Sequence, residues 1–289
     1  VNKAMAKVLI VGCGDLGGTV ARQLSAMDIQ VTGVRRSDTV ISGVEIIQAD
    51  VAEEQSLASL KPIQSDILIY CVAANGQTDE QYKANYVDGL RNVLASQSEN
   101  KNLKHVFFVS STRVYGQKTD TLLDESTPAI AADFGGERLL EAEALLNKLS
   151  CNVTVLRLSG IYGAGRLRMI NLAKSPQNWP VQNSWSNRIH KDDAAAFIVF
   201  LVLQALASKP IGTCYIVTDS KPSSQYEVLS WISNQMQINS AVITPAIKGG
   251  KRLSNHSMLS TGFQLQYPDF MAGYQVLLAA TASATSDLL

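Results

Sequence analysis

Little in this chain of 289 residues points to a membrane, a metal or a nucleic acid. Lysine and arginine number 25 and aspartate and glutamate number 25, so the formal net charge is zero, and no block of like charge stands out. That balance argues against nucleic acid or an anionic membrane as the main partner and leaves a small-molecule substrate as the expected one. The four cysteines, Cys13, Cys71, Cys151 and Cys214, contain no C-x-x-C pair. Cys71 and Cys214 lie in apolar, strand-like runs, Cys13 lies in a glycine loop and Cys151 just precedes a strand. They read as reduced small hydrophobes of a cytosolic protein. Three scattered histidines, His105, His190 and His256, give no metal-ligand spacing, so no metal is expected. The N-terminus lacks the sequence of a signal peptide, which agrees with a cytoplasmic location. The longest apolar run, Ala194 to Leu203, extends to Ala207 with only Gln204 interrupting. A bilayer span needs about 18–20 residues, so this run predicts a buried helix, capped by Asp192 or Asp193. Nothing in the sequence speaks to the oligomeric state.

What the chain does have is concentrated at its start. Lys7-Val8-Leu9-Ile10-Val11 runs directly into Gly12-Cys13-Gly14-Asp15-Leu16-Gly17, a strand followed by G-x-G-x-x-G. Helical spacing follows, with Val20, Leu24 and Met27 on one face and Ala21 beside them. Gly12 permits the tight turn, Gly14 lets a pyrophosphate approach the backbone, and Gly17 lets helix and strand pack closely. The helix N-terminus, with Asp15 and Leu16 beside the glycines, then offers N–H groups and a positive dipole end to the phosphates. A glycine turn that binds nothing is the alternative, but the strand before and the helix after favour dinucleotide binding.

Apolar β-branched runs alternate with helical stretches along the first two thirds of the chain. Strands are expected at Val8–Val11, Gln30–Val34, Ile67–Val72, His105–Ser110, Val153–Leu158 and Thr213–Thr218. Helices are expected at Leu16–Met27, Tyr82–Ser96, Phe134–Leu149, Asp193–Leu206 and Gln225–Gln237. The alternation predicts an α/β fold, a doubly wound parallel sheet of Rossmann type, with a smaller mixed C-terminal substrate cap. The expected dinucleotide-binding domain is 1–164, with 189–219 returning to it. The expected cap is 165–188 and 220–289, with Gly249-Gly250 as a break and a tail, Thr281–Leu289, that frays.

The second strand ends Val34-Arg35-Arg36. A fold selective for NAD usually places an acid here for the ribose 2′-hydroxyl. A carboxylate would repel a 2′-phosphate, whereas a guanidinium binds it through paired, charge-assisted hydrogen bonds. Arg35 and Arg36 therefore favour NADP. Asp38 keeps NAD open, and solvated surface cations are the other reading of the two arginines.

Further segments then line up in one order: Gln48-Ala49-Asp50-Val51, Ala73-Ala74, Gly89-Leu90-Arg91-Asn92-Val93-Leu94, Val109-Ser110-Ser111-Thr112-Arg113-Val114-Tyr115-Gly116, Leu156-Arg157-Leu158-Ser159-Gly160-Ile161-Tyr162-Gly163 and Arg188-Ile189-His190-Lys191-Asp192-Asp193. Together they resemble the NAD-dependent epimerase/dehydratase branch of the extended short-chain dehydrogenases/reductases, over nearly the whole chain. The glycine spacing, and the segment Lys251-Arg252-Leu253-Ser254-Asn255, are more similar to the atypical members. The resemblance implies that Asp50 and Val51 contact the adenine and that Ala73 and Ala74 line the nicotinamide-side ribose. It implies that Ser111 is the catalytic hydroxyl, while Tyr115 is mainly structural.

One departure bears on the chemistry. The family's Y-G-x-x-K segment, whose tyrosine exchanges the proton and whose lysine lowers the tyrosine pKa and holds the ribose, matches Phe134-Gly135-Gly136-Glu137-Arg138 here. Phenylalanine has no proton to give. Arg138 keeps the charge and can bind ribose hydroxyls, but arginine does not deprotonate in proteins. A positioned acid or base is worth about 10²–10⁴ in rate. The family asparagine before V-x-G falls at Tyr86, with Asn85 one residue early. Tyr86 is then either a displaced phenol that takes over proton transfer or a ring packed under the helix that begins at Phe134. Asp133 and Glu137, flanking Phe134, are candidate bases or plain surface carboxylates.

In the family the residues after R-x-x-G-x-Y-G and around I-H-x-x-D line the substrate pocket. Arg166, Arg168 and Arg188 are candidates for holding a phosphate or sugar-nucleotide anion, and one of them can instead pair with Asp192 or Asp193. His190 is either a pocket residue or a packed ring. Trp179 and Trp185 either stack on a base or sugar or pack the cap. Two functions follow: an oxidoreductase, epimerase or dehydratase acting on a hydroxylated, sugar-like or anionic molecule, or an NADP sensor that turns nothing over.

Overall fold

The computed structural model describes residues 5–60, 63–238 and 242–286. The apolar runs form strands β1 (Lys7–Val11), β2 (Gln30–Arg35), β4 (Ile67–Tyr70), β5 (His105–Ser111), β6 (Asn152–Leu158) and β9 (Cys214–Val217). To these are added β3 (Val44–Gln48) and the short β7 (Gly160–Tyr162) and β8 (Arg188–His190). Seven of them make one sheet in the order β9-β6-β5-β4-β1-β2-β3. Register is parallel from Lys7 opposite Gln30 and from Ile67 opposite both Val8 and His105. Both faces are covered, so Leu9, Ile10, Ile67, Leu68, Ile69, Phe107 and Phe108 are fully buried. The strand order turns back between β1 and β4, and ligand crevices form beyond the carboxyl ends at such a reversal.

The helices are α1 (Asp15–Ser25), α2 (residues 79–96), α3 (Phe134–Leu145), α4 (Arg168–Ala173), α5 (Lys191–Leu206), α6 (Gln225–Gln235), α7 (His256–Ser260) and α8 (Phe270–Ser286). α2 begins three residues earlier than expected because the Thr78 side chain caps it, accepting from Gln81 N–H at 3.3 Å. Its middle, Lys83–Asp88, is π-helical, between α-helical Asp79–Tyr82 and Gly89–Ser96. α3 stops at Leu145 and tightens to a 3₁₀ turn at Leu146–Lys148. α5 is the long apolar run. Neither expected aspartate cap of that run behaves as one: α5 starts at Lys191, and Asp193 instead accepts from the N–H groups of Gln266 (2.8 Å) and Tyr267 (2.9 Å). Residues 281–286 of the tail expected to fray continue α8, and 287–289 lie outside the described residues.

The chain divides into two compact units. The first holds residues 1–116, 129–157 and 195–215, and the second holds 117–128, 158–194 and 216–289. The second has its own core of Tyr162, Ile170, Trp179, Tyr226, Leu229, Phe270 and Tyr274. No helix among the described residues is long and apolar enough to cross a membrane.

In the first unit one polar network ties α3 to the sheet. Glu143 accepts from Ser110 Oγ at 2.6 Å and from the Arg157 guanidinium at 2.7 and 3.2 Å. Arg157 also donates to the Tyr115 hydroxyl at 2.7 Å and lies over its ring. Arg157 and Glu143 side chains are only 13% and 10% exposed. Removing one partner of such a pair strands the other charge, so Glu143→Ala is expected to cost about 3 kcal/mol. Chemical denaturation should show it as a lower midpoint with an unchanged slope.

Candidate functional site

The β1–α1 turn is built by close backbone approach. Gly12 has φ +89°, and a Cβ there would overlap the Cys71 carbonyl oxygen; a Cβ on Gly17 would overlap the Gly12 carbonyl oxygen. The N–H groups of Gly12 and Cys13 both reach Val34 O at 2.9 Å, which fixes the loop on the end of β2. At Gly14 the geometry is the opposite: a Cβ would meet nothing within 4 Å. Gly14 caps α1 without any side-chain hydrogen bond, whereas Thr78, Asp133 and Ser224 cap α2, α3 and α6 through their side chains. The cap residue thus offers no side chain to the first turn of α1, which opens with Asp15 and a buried Leu16, and the dipole end there favours an anion. Open space above Gly14 and an uncapped helix start fit the pyrophosphate of a dinucleotide.

Beyond β2, Arg35 is half-buried and donates to Ser37 Oγ at 2.9 Å, while its Nε is buried without a partner. Arg36 and Asp38 are exposed. Asp50 follows β3, its Oδ1 accepting from Ala52 N–H at 3.0 Å, and Val51 is buried, its carbonyl held by Asn92 at 3.0 Å. Ala73 is exposed and Ala74 half-buried after β4.

At the start of α3, Asp133 caps the helix, accepting from Gly136 N–H at 3.0 Å, and receives Arg113 Nε on both oxygens at 2.9 and 3.0 Å. Burial opposes ionisation of Asp133, but the guanidinium and the helix N–H groups win and hold it below the usual carboxylate range. A carboxylate so fully engaged is a cap and an anchor rather than a free base. Phe134 meets Tyr82 edge to face, centroids 5.5 Å apart. Tyr86 lies on Tyr82 with centroids 5.2 Å apart, and Ala74 N–H bonds its oxygen. Burial, with Tyr82 beside it, pushes Tyr86 up to about 12, which makes it about 100-fold weaker as an acid than an ordinary tyrosine. Ser111 Oγ accepts from Arg113 N–H at 3.2 Å. Arg138 donates to both oxygens of Asp79 at 2.7 and 2.8 Å and to Glu141 at 2.8 Å, and these carboxylates fix its charge. Sequence reasoning singles out neither Arg113 nor Tyr82. Arg113 occupies an unassigned position of S-S-x-x-V-Y-G, and Tyr82 reads as the opening apolar residue of a helix.

In the second unit, Arg188 and His190 share one face of β8, opposite Gly160 and Tyr162 of β7, and both are buried. Arg188 donates to Ser186 Oγ at 2.5 Å and lies over the Phe270 ring, but its Nη1 is buried without a partner. The same holds for Tyr162 Oη, His190 Nε2 and Asp219 Oδ2. His190 Nδ1 accepts from Asp192 N–H at 3.2 Å, and burial keeps the ring neutral. Arg166 and Arg168 are exposed. Trp179 packs in the core against Tyr226 and donates to Leu172 O at 3.0 Å. Trp185 donates to Asp120 at 2.6 Å beneath Arg252.

Comparison with known proteins finds relatives of the sequence and of the fold. Residues 8–216 match the sequence model of the NAD dependent epimerase/dehydratase family. A solved structure from Methylobacillus flagellatus, named as a candidate NAD-dependent epimerase/dehydratase, is 48% identical, superposes with a TM-score of 0.88, and is covered over 100% of its length by 96% of this chain. Protein YeeZ of Escherichia coli K12 is 26% identical over 279 residues, 92% of this chain and 97% of YeeZ. Bordetella bronchiseptica WbmG, solved with NAD and UDP, shares the fold at 18% identity and a TM-score of 0.76, over 96% of this chain and 94% of its own.

Two outcomes follow from the geometry. Gly14→Ala is expected to melt within about 2 °C of wild type, since its methyl group meets no neighbour, yet to lose dinucleotide binding by calorimetry, the methyl standing where the phosphates approach. The other outcome concerns pH. Burial raises Asp219 from 3.8 to about 7 in the folded chain. Between those values the folded chain keeps a proton that the unfolded chain has released, so its stability falls as pH rises toward 7 and then levels off. The full shift corresponds to at most about 4 kcal/mol. Asp219→Asn should remove this slope, so its stability relative to wild type should increase from pH 5 to pH 8 in paired melts.

Proposed function

The chain belongs to the NAD-dependent epimerase/dehydratase family, and from that premise we propose that it binds NADP in preference to NAD and transforms a hydroxylated, sugar-like or anionic small molecule. The observation that carries the reading is the uncapped start of α1 beneath open space at Gly14. Gly12, Gly14, Asp15, Leu16 and Gly17 receive the pyrophosphate. Asp50 and Val51 meet the adenine, and Ala73 and Ala74 the second ribose. Arg35, with its unsatisfied Nε, and Arg36 supply the guanidinium chemistry that a 2′-phosphate requires. Asp38 is the residue through which NAD stays possible.

When bound, the nicotinamide supplies a hydride acceptor or donor. The chain's own residues supply orientation and charge. Ser111 already accepts from Arg113 N–H, so its own O–H is left to donate to a substrate oxygen. Arg138 serves the ribose only by sharing its guanidinium with Asp79 and Glu141. Arg188 and His190, buried with unsatisfied nitrogen atoms, and Arg166 are the groups that suit an anionic substrate. WbmG was solved with UDP, and a nucleotide-linked sugar has the anionic, hydroxylated chemistry such groups would take.

The alternative, a catalytically silent NADP sensor, is favoured by Phe134 at the head of α3 and by the engaged guanidinium of Arg138. Restoring Phe134→Tyr with Arg138→Lys separates the two: turnover of sugar nucleotides or simple carbonyls by wild type, or a gain in the restored variant, supports the enzyme, and no turnover by either supports the sensor. Cofactor choice is tested by thermal shift. NADPH should raise the melting temperature at lower concentration than NADH, a ligand at 100 times its Kd adding about 2.7 kcal/mol. Arg35→Asp should reverse the order. No shift with either nucleotide contradicts the reading.

A further inference from the structure

The geometry points to Tyr82 and Arg113 as the proton-transfer pair of this site, Tyr82 the acid and Arg113 its fixed counter-charge; the assignment rests on the function proposed above. Tyr82 is only 7% exposed, yet its oxygen is fully engaged: it receives Arg113 Nη1 at 2.8 Å and donates to Gln77 Oε1 at 3.3 Å. The Arg113 guanidinium also lies over the Tyr82 ring at 4.9 Å and the Phe134 ring at 5.1 Å. Both oxygens of Asp133 hold its Nε, and Nη1 is shared with Gln77 at 2.9 Å. Its backbone N–H is bonded to Ser111 Oγ. One arginine thus links a serine hydroxyl to a phenol along the carboxyl end of β5. Every one of these residues belongs to the first unit.

The pair suits proton transfer for a general reason. A phenol that gives up its proton leaves an anion, and here a guanidinium that cannot itself deprotonate donates to that oxygen. Tyr86 lacks this arrangement: its oxygen takes a backbone N–H, and burial disfavours its anion. In the reducing direction the substrate carbonyl carbon gains a hydride from reduced nicotinamide, forming a C–H bond. The carbonyl π electrons move to oxygen, which takes the Tyr82 proton, and the phenolate rests on Arg113 until water reprotonates it. The carbonyl is reduced and the nicotinamide oxidised. Alcohol oxidation is the reverse, with the hydroxyl proton passing to the phenolate.

The experiment measures turnover of wild type, Tyr82→Phe, Arg113→Gln and Arg113→Lys with both nicotinamide cofactors against UDP-glucose, UDP-galactose and 9,10-phenanthrenequinone, with cofactor Kd measured alongside. The expected result for Tyr82→Phe is a kcat lowered at least about 100-fold with cofactor Kd changed less than twofold. Arg113→Gln should move the pH profile of kcat/KM to higher pH, and Arg113→Lys should restore it in part. That profile also decides the matter if Tyr82→Phe fails to fold, since an unchanged profile overturns the proposal. Tyr82→Phe within threefold of wild type overturns it too, while leaving the proposed function standing. Wild type that binds cofactor but turns over no probe overturns both.

Discussion

The rest of the site depends on one steric constraint, the contact of three backbones at Gly12, Gly17 and Cys71. Any Cβ at the two glycines would overlap a carbonyl oxygen. With both present, β1 can turn closely into α1, and the residue at the cap position, Gly14, carries no side chain to bond the first turn. The same turn sits where the strand order reverses between β1 and β4. A positively polarised helix start whose cap residue is a glycine therefore coincides with the reversal of strand order, where ligand crevices form beyond the carboxyl ends.

Electrostatics then separates the two arginines near the head of α3. Arg138, 29% exposed, is held by carboxylates of Asp79 and Glu141 that are themselves more than 40% exposed. Such half-solvated pairs contribute little to stability, and their effect is to orient the side chain. Arg113 is anchored by one carboxylate and two aromatic faces, and its Nη1 donates to the Tyr82 phenol oxygen and to Gln77. The two cations thus differ in what they face: Arg138 is shared between two acids, whereas Arg113, paired with one acid, also donates to a phenol oxygen.

Much of the sheet is legible in the sequence because strands buried on both faces read as unbroken apolar runs, as in Ile67–Tyr70 and His105–Ser111. β3 escapes for the converse reason. It is an edge strand, and Glu45 and Gln48 interrupt its pattern. α8 carries apolar residues all round, so no periodic stripe announces it, and α4 and α7 are too short to show one. The glycine loop is legible because each glycine answers a local steric demand. Tyr82 and Arg113 are not, since their partnership joins residues 31 positions apart and depends on how α2 lies on the sheet. The burial of Arg188 is hidden for the same reason: its aromatic partner, Phe270, comes from α8, a helix with no stripe to mark it. The π-helical turn at Lys83–Asp88 is a further case, for it sits where the Asn85–Tyr86 register departs from the family pattern, and no propensity encodes it.

The most direct test of the account is an amide ¹⁵N–¹H titration of the full chain with NADPH and NADH. If the start of α1 grips the pyrophosphate, the resonances of Gly14, Asp15, Leu16 and Gly17 shift saturably and together, ahead of those elsewhere in the chain. Saturable binding that leaves these four amides unmoved, or no saturation at all, would contradict it.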